Sequence, residues 1–291
     1  MSTSDSLGAC SPAEIGAITF SGTALPPYNP FTNTTPRLVT VTVASTVACS
    51  VELAFQATSN PARMLGPGTL FYDVQSQGNS TSLLFISGTP STTTPIDIPA
   101  GSVGSATVQI ALSPNQVVSS GTYGDTSLVA HIYGRSGTAL TPLKSASVPI
   151  TGSVAAACQF ASPTNPTMNF TGAITNGMPS PSYVGSVTLD SLNCTAPSLV
   201  RLSAEPMRLA STASNAAFDN TIHFRASASL GGATAVLTTT SGSEAVSTLG
   251  NVASGATTNA SVRIDVNLLA GRPLLPGIYS SLLTLSIDPN P

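Results

Sequence analysis

Two neighbouring segments, Leu-Val-Thr-Val-Thr-Val-Ala (38–44) and Val-Glu-Leu-Ala-Phe-Gln-Ala (51–57), decide the fold class of this chain. In the first segment, apolar and polar residues alternate with period two, which is the pattern of a half-buried β-strand. Valine and threonine also favour the pleated surface of a sheet. We therefore predict two consecutive short strands, with Cys49 between them.

The same arrangement occurs a second time later in the chain. The matching pairs are 38–44 and Val-Gly-Ser-Val-Thr-Leu (184–189), Cys49 and Cys194, 51–57 and 199–204, Ala-Thr-Val-Gln-Ile-Ala-Leu (106–112) and Ala-Ser-Val-Arg-Ile-Asp-Val (260–266), and Ser-Gly-Thr-Tyr (120–123) and Pro-Gly-Ile-Tyr (276–279). About six short strands per unit, separated by turn residues, are typical of β-sandwiches. We expect an all-β protein with two immunoglobulin-like β-sandwich domains in tandem, residues 1–153 and 154–291.

The two units differ at their ends. In the first unit, Ser-Val-Pro-Ile-Thr-Gly-Ser-Val (147–154) places Val148, Ile150 and Val154 on one strand face and predicts a seventh strand supplied by the chain itself. The second unit reaches Leu-Leu-Thr-Leu-Ser-Ile (282–287) without such a pattern. A sandwich that lacks its last strand exposes a core groove and unpaired edges, and it aggregates or takes a strand from a partner.

The four cysteines support the same division of the chain. Four cysteines allow three pairings, and the repeat favours the pairs Cys10–Cys49 and Cys158–Cys194. The sequence has no Cys-x-x-Cys pair or Cys/His cluster, so we expect no metal site. No cofactor is predicted either, because phosphate-binding and calcium loops are missing from the sequence.

Composition excludes several function classes. Only 7% of the 291 residues are charged, the net charge is −3, and no run of like charge occurs, so we expect no nucleic-acid partner. The apolar share of 41% is enough for two cores. No apolar stretch is long enough to span a membrane. The residues before Cys10 lack the basic and apolar regions of a signal peptide, and paired cysteines are typical of exported proteins. We interpret the chain as a mature exported one.

Asp125, Ser127 and His131 lie close together in sequence and suggest a catalytic triad. On an extended strand, however, Ser127 and His131 are separated by about 13 Å, at 3.3–3.4 Å per residue. These two side chains are therefore too far apart for a direct hydrogen bond. We expect that the protein is not an enzyme and has no catalytic residues.

A set of short motifs in the same order in both units resembles a known family. The motifs are an early cysteine followed by Phe-Ser-Gly (20–22) or Phe-Thr-Gly (170–172), then Cys49 and Cys194, Ala-Arg-Met-Leu (62–65) and Glu-Pro-Met-Arg-Leu (205–209), the strands around Tyr72 and Phe224, and the terminal Gly-x-Tyr. They cover most of the chain, which resembles the spore coat protein U domain family. This family includes the pilins and adhesins of archaic, Csu-type chaperone–usher pili. Unit two departs from unit one in having Ser280-Ser281 where unit one has Gly124-Asp125, and we expect its corner to differ there.

The resemblance implies donor-strand complementation, in which an N-terminal extension of one pilin fills the groove of the next. Its implied partners are a periplasmic pilus chaperone, an outer-membrane usher and the donor strand of the next pilin. Only nine residues, most of them polar, precede Cys10 in this sequence. We therefore expect a two-domain tip adhesin that accepts a donor strand without giving one. It would pass through the periplasm to the cell surface at the pilus tip and serve in biofilm formation.

Three loops of the first unit are expected to point outward, 87–104, 134–146 and the loop near Cys49, and the first two carry the predicted adhesive residues. In an immunoglobulin-like unit whose last strand runs toward the linker, these loops point away from the second unit. Their apolar residues are Ile96, Ile98, Pro99, Leu140, Pro142 and Leu143. Exposed apolar loops with almost no charge nearby form a sticky patch for abiotic or host surfaces.

The proline-rich segment 25–31, with Tyr28 and Phe31, is a second candidate surface. Its alternative role is packing across the end of the sandwich or against unit two. Two other functions stay open at this point. One is a structural pilin or coat-like subunit without an adhesive role, and the other is a carbohydrate lectin, although aromatic residues number only 15. Tyr123 and Tyr279 are expected to anchor corner hydrogen bonds.

Overall fold

The computed structural model describes residues 8–32, 35–78, 80–162, 165–212, 214–247 and 255–290. The chain forms two compact units, Met1–Ala155 and Ala156–Pro291, here called unit one and unit two. This division falls slightly later than the predicted boundary after residue 153, because Val154 still belongs to the last strand of unit one, opposite Gly121. No helix of the described residues has the length and apolar character that a membrane span requires.

Unit one is a sandwich of two mainly antiparallel sheets, preceded by a short 3-10 turn at Pro12–Glu14. Its strands are β1 (Ile15–Ser21), β2 (Arg37–Ser45), β3 (Cys49–Gln56), β4 (Ala62–Leu65), β5 (Thr69–Ser76), β6 (Leu84–Phe85), β7 (Ile96–Ile98), β8 (Ser102–Leu112), β9 (Gly121–Asp125), β10 (Val129–Ser136), β11 (Ala139–Ser147) and β12 (Ile150–Val154). One sheet has the order β1-β2-β8-β5-β4-β9-β12. The other has the order β11-β10-β3-β6, with β7 also paired to β3.

The alternation seen in the sequence places the core of unit one between these sheets. Val39, Val41 and Val43 of β2 are buried, whereas the threonines between them are partly exposed. Leu53 and Phe55 of β3 are buried in the same apolar cluster. Each such side chain contributes about 1.5–3 kcal/mol on burial. The predicted all-β sandwich is confirmed.

Unit two repeats this architecture with shorter sheets and has a 3-10 turn at Thr171–Ala173. Its strands are β13 (Cys158–Phe160), β14 (Ile174–Thr175), β15 (Met178–Pro179), β16 (Val184–Cys194), β17 (Ser198–Ala204), β18 (Met207–Leu209), β19 (Thr221–Ile222), β20 (Phe224–Leu230), β21 (Ala233–Thr238), β22 (Ala245–Val246), β23 (Thr257–Leu268), β24 (Tyr279–Ser280) and β25 (Leu283–Pro289). The sheet orders are β13-β16-β23-β20-β21, β22-β17-β25, β19-β18-β24 and β14-β15. A separate apolar cluster forms its core.

Two long segments of unit one change sheets part-way along. β9 pairs in the seven-stranded sheet and β10 pairs with β3 in the other sheet, while β11 and β12 divide in the same way. The predicted loop 134–146 is therefore wrong: residues 139–147 form β11, which pairs with β10 as a hairpin. The predicted strand 147–154 likewise begins later, at Ile150, because Ser147 still pairs with Val129.

The disulfides join Cys10 to Cys49 and Cys158 to Cys194, as the repeat predicts. Each bridge stays within one unit and closes a loop of 39 or 36 residues. A loop of this length gives each bridge about 3–4 kcal/mol in the chain-entropy account of disulfide stability.

Candidate functional site

The last strand of unit one, β12, is held on both sides. Along one side it pairs antiparallel with β9, from Ile150 opposite Asp125 to Val154 opposite Gly121. Along the other side, the backbone N–H of Leu25 donates to the Thr151 carbonyl at 2.8 Å. The strand is therefore an internal member of the unit.

The inward side chains of this region close the core. Val148, Ile150 and Val154 are all buried, as expected of a strand supplied by the chain itself. Gly152, between them on β12, faces Met64, because a Cβ at this position would lie 3.7 Å from the Sδ of Met64. Met64 is fully buried.

The corresponding edge of unit two has no such strand. β24 pairs with β18 through Arg208 opposite Ser280 and Leu209 opposite Tyr279. Within the described part of the chain, no strand pairs with its other edge, which is where β12 lies beside β9 in unit one. Among the residues that the structure describes, β25 pairs with β17 only, whereas β10 pairs with both β3 and β11.

Burial differs between the last paired strand segments of the two units. β10 pairs antiparallel with β3, the strand that begins at Cys49, and β25 pairs antiparallel with β17, the strand that follows Cys194. In unit one, Leu128, Ala130 and Ile132 are 0% exposed. In unit two, Leu283, Leu285 and Ile287 are only partly buried. The open edge of unit two is therefore an apolar groove that reaches the core, called the acceptor groove below.

The tyrosine corner beside this edge is the same in both units. The Tyr123 hydroxyl donates to the Ser119 carbonyl at 2.6 Å, and the Tyr279 hydroxyl is within 3.0 Å of the Leu275 carbonyl. Burial raises the pKa of both phenols. The expected corner hydrogen bonds are therefore present, and the corner does not account for the difference between the units.

The Gly-x-Tyr motif has a backbone reason. Gly121 and Gly277, two residues before the tyrosines, adopt φ angles of +139° and +152°. L side chains rarely adopt this conformation. At Gly121, a Cβ would also lie 2.8 Å from Cγ of Pro67. The motif therefore marks the start of the corner strand in each unit.

Beyond the tyrosine, the two corners differ, as Ser280-Ser281 suggested. In unit one, the Tyr72 hydroxyl donates to the Asp125 carboxylate at 2.7 Å, and the Ser127 hydroxyl donates to the same group at 2.7 Å. In unit two, Ser281 stands at the position of Asp125 in the motif, and its hydroxyl donates to the Glu205 carbonyl at 2.6 Å. The carboxylate that receives the Tyr72 hydrogen bond in unit one is therefore replaced by a serine in unit two.

Ile96 and Ile98 do not lie on an exposed loop. They form β7, which pairs with β3 through Ile98 opposite Cys49, and they are 6% and 0% exposed. Their assignment to an exposed adhesive surface is wrong, because Ile-Asp-Ile is a short strand with its isoleucines facing the core. Pro99, the next residue, is exposed.

The residues at 140–143 lie on the edge strand β11. Leu143 packs against the core, Leu140 is half-buried and Pro142 is exposed. Lys144 of the same strand donates to the carbonyls of Gly16 and Ile15, at 2.6 and 3.2 Å. The expectation of an exposed loop here is wrong, and only Pro142 of the three is fully accessible.

The 25–31 segment packs within unit one. Tyr28 is 1% exposed, accepts a hydrogen bond from the Gln116 N–H at 2.8 Å, and lies 3.3 Å from the Ser113 carbonyl. Its backbone N–H donates to the Ser153 carbonyl at 2.7 Å, beside β12. Tyr28 is therefore a structural residue, and its assignment to a binding surface is wrong. Phe31 is partly exposed.

Strand pairing identifies which turns of unit one lie at the end of the sandwich remote from Val154. The turn after β2, the turn before β8 and the β10–β11 hairpin turn all lie at that end, here called the far end. Its exposed apolar side chains include Val103, which is 60% exposed, and Val47, which is 37% exposed, as well as Pro99. Val103 lies within the predicted loop 87–104 and Val47 within the predicted loop near Cys49. Neither valine was singled out, because each is isolated beside a turn and has no pattern of its own.

An ion pair with a buried carboxylate lies near the far end. The Glu52 carboxylate is 3% exposed and accepts a hydrogen bond from Nη2 of Arg135 at 2.8 Å, a second from Nε of Arg135, and a third from the Thr92 hydroxyl. The Arg135 hydrogen bond holds the pKa of Glu52 below its ordinary value. This acidic residue was not singled out in the sequence, because Thr92 and Arg135 lie far from it along the chain.

The considered triad residues have separate partners. Ser127 donates to Asp125, whereas Nε2 of His131 is 3.0 Å from the Gln56 side-chain oxygen. His131 also lies edge-on to Phe85, with ring centroids 5.6 Å apart. Burial lowers the pKa of His131. Among the described residues, no group of three or more His, Cys, Asp and Glu side chains is placed to hold a metal ion.

The sequence matches no protein-family model and no curated protein. Among solved structures, the chain is similar to the chaperone–tip adhesion subunit complex CsuC–CsuE of Acinetobacter baumannii, with a TM-score of 0.42, 11% identity and coverage of 94% of this chain and 100% of the matched chain. It is also similar to CfaE, the adhesive subunit of CFA/I fimbria of enterotoxigenic Escherichia coli, with a TM-score of 0.33, 13% identity and 91% coverage of both chains. For the CupB6 tip adhesin from Pseudomonas aeruginosa, the TM-score is 0.33, the identity 10%, and the coverage 97% of this chain and 96% of that one. Because these TM-scores are all below 0.5, they decide neither the fold nor the function of this chain.

Proposed function

We propose that this chain is the tip adhesin subunit of a chaperone–usher pilus. In this proposal, unit two accepts a donor strand from the next pilin, and unit one attaches the pilus to abiotic or host surfaces during biofilm formation. A periplasmic chaperone and an outer-membrane usher deliver the exported chain to the cell surface. The protein works by binding alone, without catalysis or a cofactor.

The acceptor groove is the observation that carries the proposal. Leu283, Leu285 and Ile287 are partly exposed, whereas the side chains compared with them in unit one are fully buried. Unit one closes the same position with β12, whose inward side chains Val148, Ile150 and Val154 are apolar. A strand of this pattern from another subunit would bury the groove of unit two in the same way.

Edge chemistry supports the same assignment. Proteins protect free sheet edges with lysine, proline and other residues that block further pairing. The edge strand β11 of unit one carries both Pro142 and Lys144. β25 carries neither a lysine nor a proline before Pro289, and it alternates leucine and isoleucine with polar residues instead. The edge of β25 therefore lacks these protecting residues before Pro289, which supports pairing with a donor strand.

The far end of unit one is the proposed adhesive surface. The buried positions of Ile96, Ile98 and Tyr28 remove them from it. Val47, Pro99 and Val103 remain exposed there, and the charged side chains of the adjoining strands include the Glu52–Arg135 ion pair and the exposed Asp97. Several small apolar contacts, repeated over many pili, add up to firm attachment through multivalency.

The test replaces a side chain of the acceptor groove and counts the chain on assembled pili. Leu285→Lys places a charge in the groove and is expected to remove the protein from surface pili. Thr284→Lys, on the exposed face of the same strand, is the matched control and keeps it there. If Leu285→Lys chains are found on pili in normal amounts, the acceptor role is wrong. If the chain is incorporated into pili normally but substitutions at the far end do not change attachment, the protein is a structural pilin.

A further inference from the structure

The outer face of the open edge differs from its counterpart in unit one. Thr122 and Thr126 lie immediately before and three residues after Tyr123, and both are exposed. The same positions around Tyr279 are Ile278 and Leu282, which are 76% and 79% exposed. Unit two therefore has two large exposed apolar residues beside β24 where unit one has threonines.

A strand like β12 would leave these side chains in water. In unit one, Thr122 pairs with Ser153 of β12 and is still exposed with that strand in place. Ser153 is the outward residue of the pair, while Gly152 and Val154 on either side of it are buried. A donor with a small polar residue at this position would thus fill the acceptor groove but leave Ile278 uncovered.

On the basis of the proposed function, we propose that the donor strand for unit two is apolar on both faces where it passes Ile278. Its inward residues fill the acceptor groove, as those of β12 do in unit one. Its outward residue opposite Ile278 is branched or aromatic, and Leu282 extends the exposed apolar surface beside it. Directly opposite side chains on neighbouring strands are close enough to pack against one another. This second apolar row distinguishes the donor of unit two from the strand that completes unit one.

The outer row also explains how unit two selects between donors. The acceptor groove needs only alternating apolar residues, a pattern that many strands share, including 148–154 of this chain. Ile278 and Leu282 contact outward residues of the donor, which do not enter the acceptor groove. These outward residues therefore also affect how tightly a donor binds. A strand with serine or threonine there fills the core and forfeits the outer contact, so it binds more weakly.

The experiment uses the full chain with a copy of Gly137–Val154 of unit one appended after Pro291. In unit one, this segment follows β10 and supplies both β11 and β12. Four chains are compared: the copy carries Ser153 or Ser153→Val, and unit two carries Ile278 or Ile278→Thr, the residue type of unit one. Stability of unit two is measured from the urea dependence of deuterium exchange in peptides covering 279–290.

We expect valine in the copy to stabilise unit two only when Ile278 is present. The expected coupling is about fivefold in the opening equilibrium constant, near the upper end of cross-strand pair energies. The cycle removes the general preference of valine for strands, because that preference acts in both backgrounds. A coupling of zero, with both copies stabilising unit two, overturns the two-faced donor and leaves the acceptor role intact.

Two other outcomes contradict the inference in different ways. If neither copy protects residues 279–290, unit two does not accept such a strand, and the proposed function fails with the inference. If the unmodified chain is a dimer in sedimentation and Ile278→Thr makes it monomeric, the outer row is a contact between two copies of this chain. That result would overturn the assignment to a donor strand.

Discussion

The Tyr72 hydroxyl donates a 2.7 Å hydrogen bond to the buried carboxylate of Asp125, whose place in the motif is taken by Ser281 in unit two. Burial, followed by the bond to Asp125, raises the pKa of Tyr72 far above its ordinary value, so the phenol is a permanent donor. Asp125 is opposite Ile150, the first residue of β12. The pair therefore fixes the corner of β9 where the strand that completes unit one begins.

Tyr72→Phe is expected to destabilise unit one by about 1–3 kcal/mol, because it leaves a buried carboxylate oxygen without its donor. Tyr72→Phe with Asp125→Ser is expected to cost less than the sum of the two single changes. The measurement is a double-mutant cycle from urea unfolding of unit one. Tyr133→Phe removes a hydroxyl elsewhere in the same unit and serves as the control. Additive single changes would mean that the two residues act independently.

The two units are expected to behave differently when they are produced separately. Residues 1–155 contain a complete strand set, so they should be monomeric with one sharp thermal transition. Residues 156–291 expose the acceptor groove and should aggregate, or bind a hydrophobic dye strongly. Sedimentation and calorimetry of the two fragments make the comparison. A monomeric fragment 156–291 with a sharp transition would show that unit two needs no further strand.

Much of this architecture could be predicted from the sequence, because it is encoded in local patterns. The alternation at 38–44, the two cysteine pairs and the Gly-x-Tyr corners each mark a feature within a few residues or through repetition. The pattern at 147–154 also marked the strand with which the chain completes unit one. These signals were enough for the fold class and for the last strand of unit one.

The surface of unit one was harder to predict, because exposure depends on contacts between distant segments. Ile96 and Ile98 are separated by a single aspartate, and three residues are too short for periodicity to distinguish a buried strand from a loop. Leu143 lies in a polar stretch and is partly covered by the hairpin partner β10. Glu52 and Arg135 are brought together only by the pairing of distant strands. A short stretch of sequence does not reveal such pairing.

The Glu52–Arg135 pair is expected to make the stability of unit one depend on acid. The pKa of Glu52 is lowered in the folded protein, chiefly by its hydrogen bond with Arg135. Its contribution is therefore fully present above the unfolded pKa of about 4.3 and is lost as the pH falls through the lower folded value. The Glu52→Gln variant should have a lower free energy of unfolding at pH 7. It should also lose less of that free energy between pH 5 and pH 2. Asp97→Asn, on the exposed side of β7, provides the comparison. An unchanged pH profile in Glu52→Gln would exclude the pair as the source of acid sensitivity.

Attachment should depend on the exposed valines at the far end of unit one. Val47→Ser with Val103→Ser is expected to reduce the number of cells held on an apolar plastic surface, because each buried apolar side chain contributes about 1.5–3 kcal/mol on contact. Pilus abundance should stay unchanged, since the acceptor groove belongs to unit two. Attachment should also respond only weakly to salt, because charged side chains are few at this surface.

Leu65→Ser is the matched control: Leu65 is 60% exposed, but it lies on β4, next to β9 and away from the far-end turns. Cells and surface pili are counted on the same strains. Equal attachment by the double valine variant and the control would remove the far end as the adhesive surface.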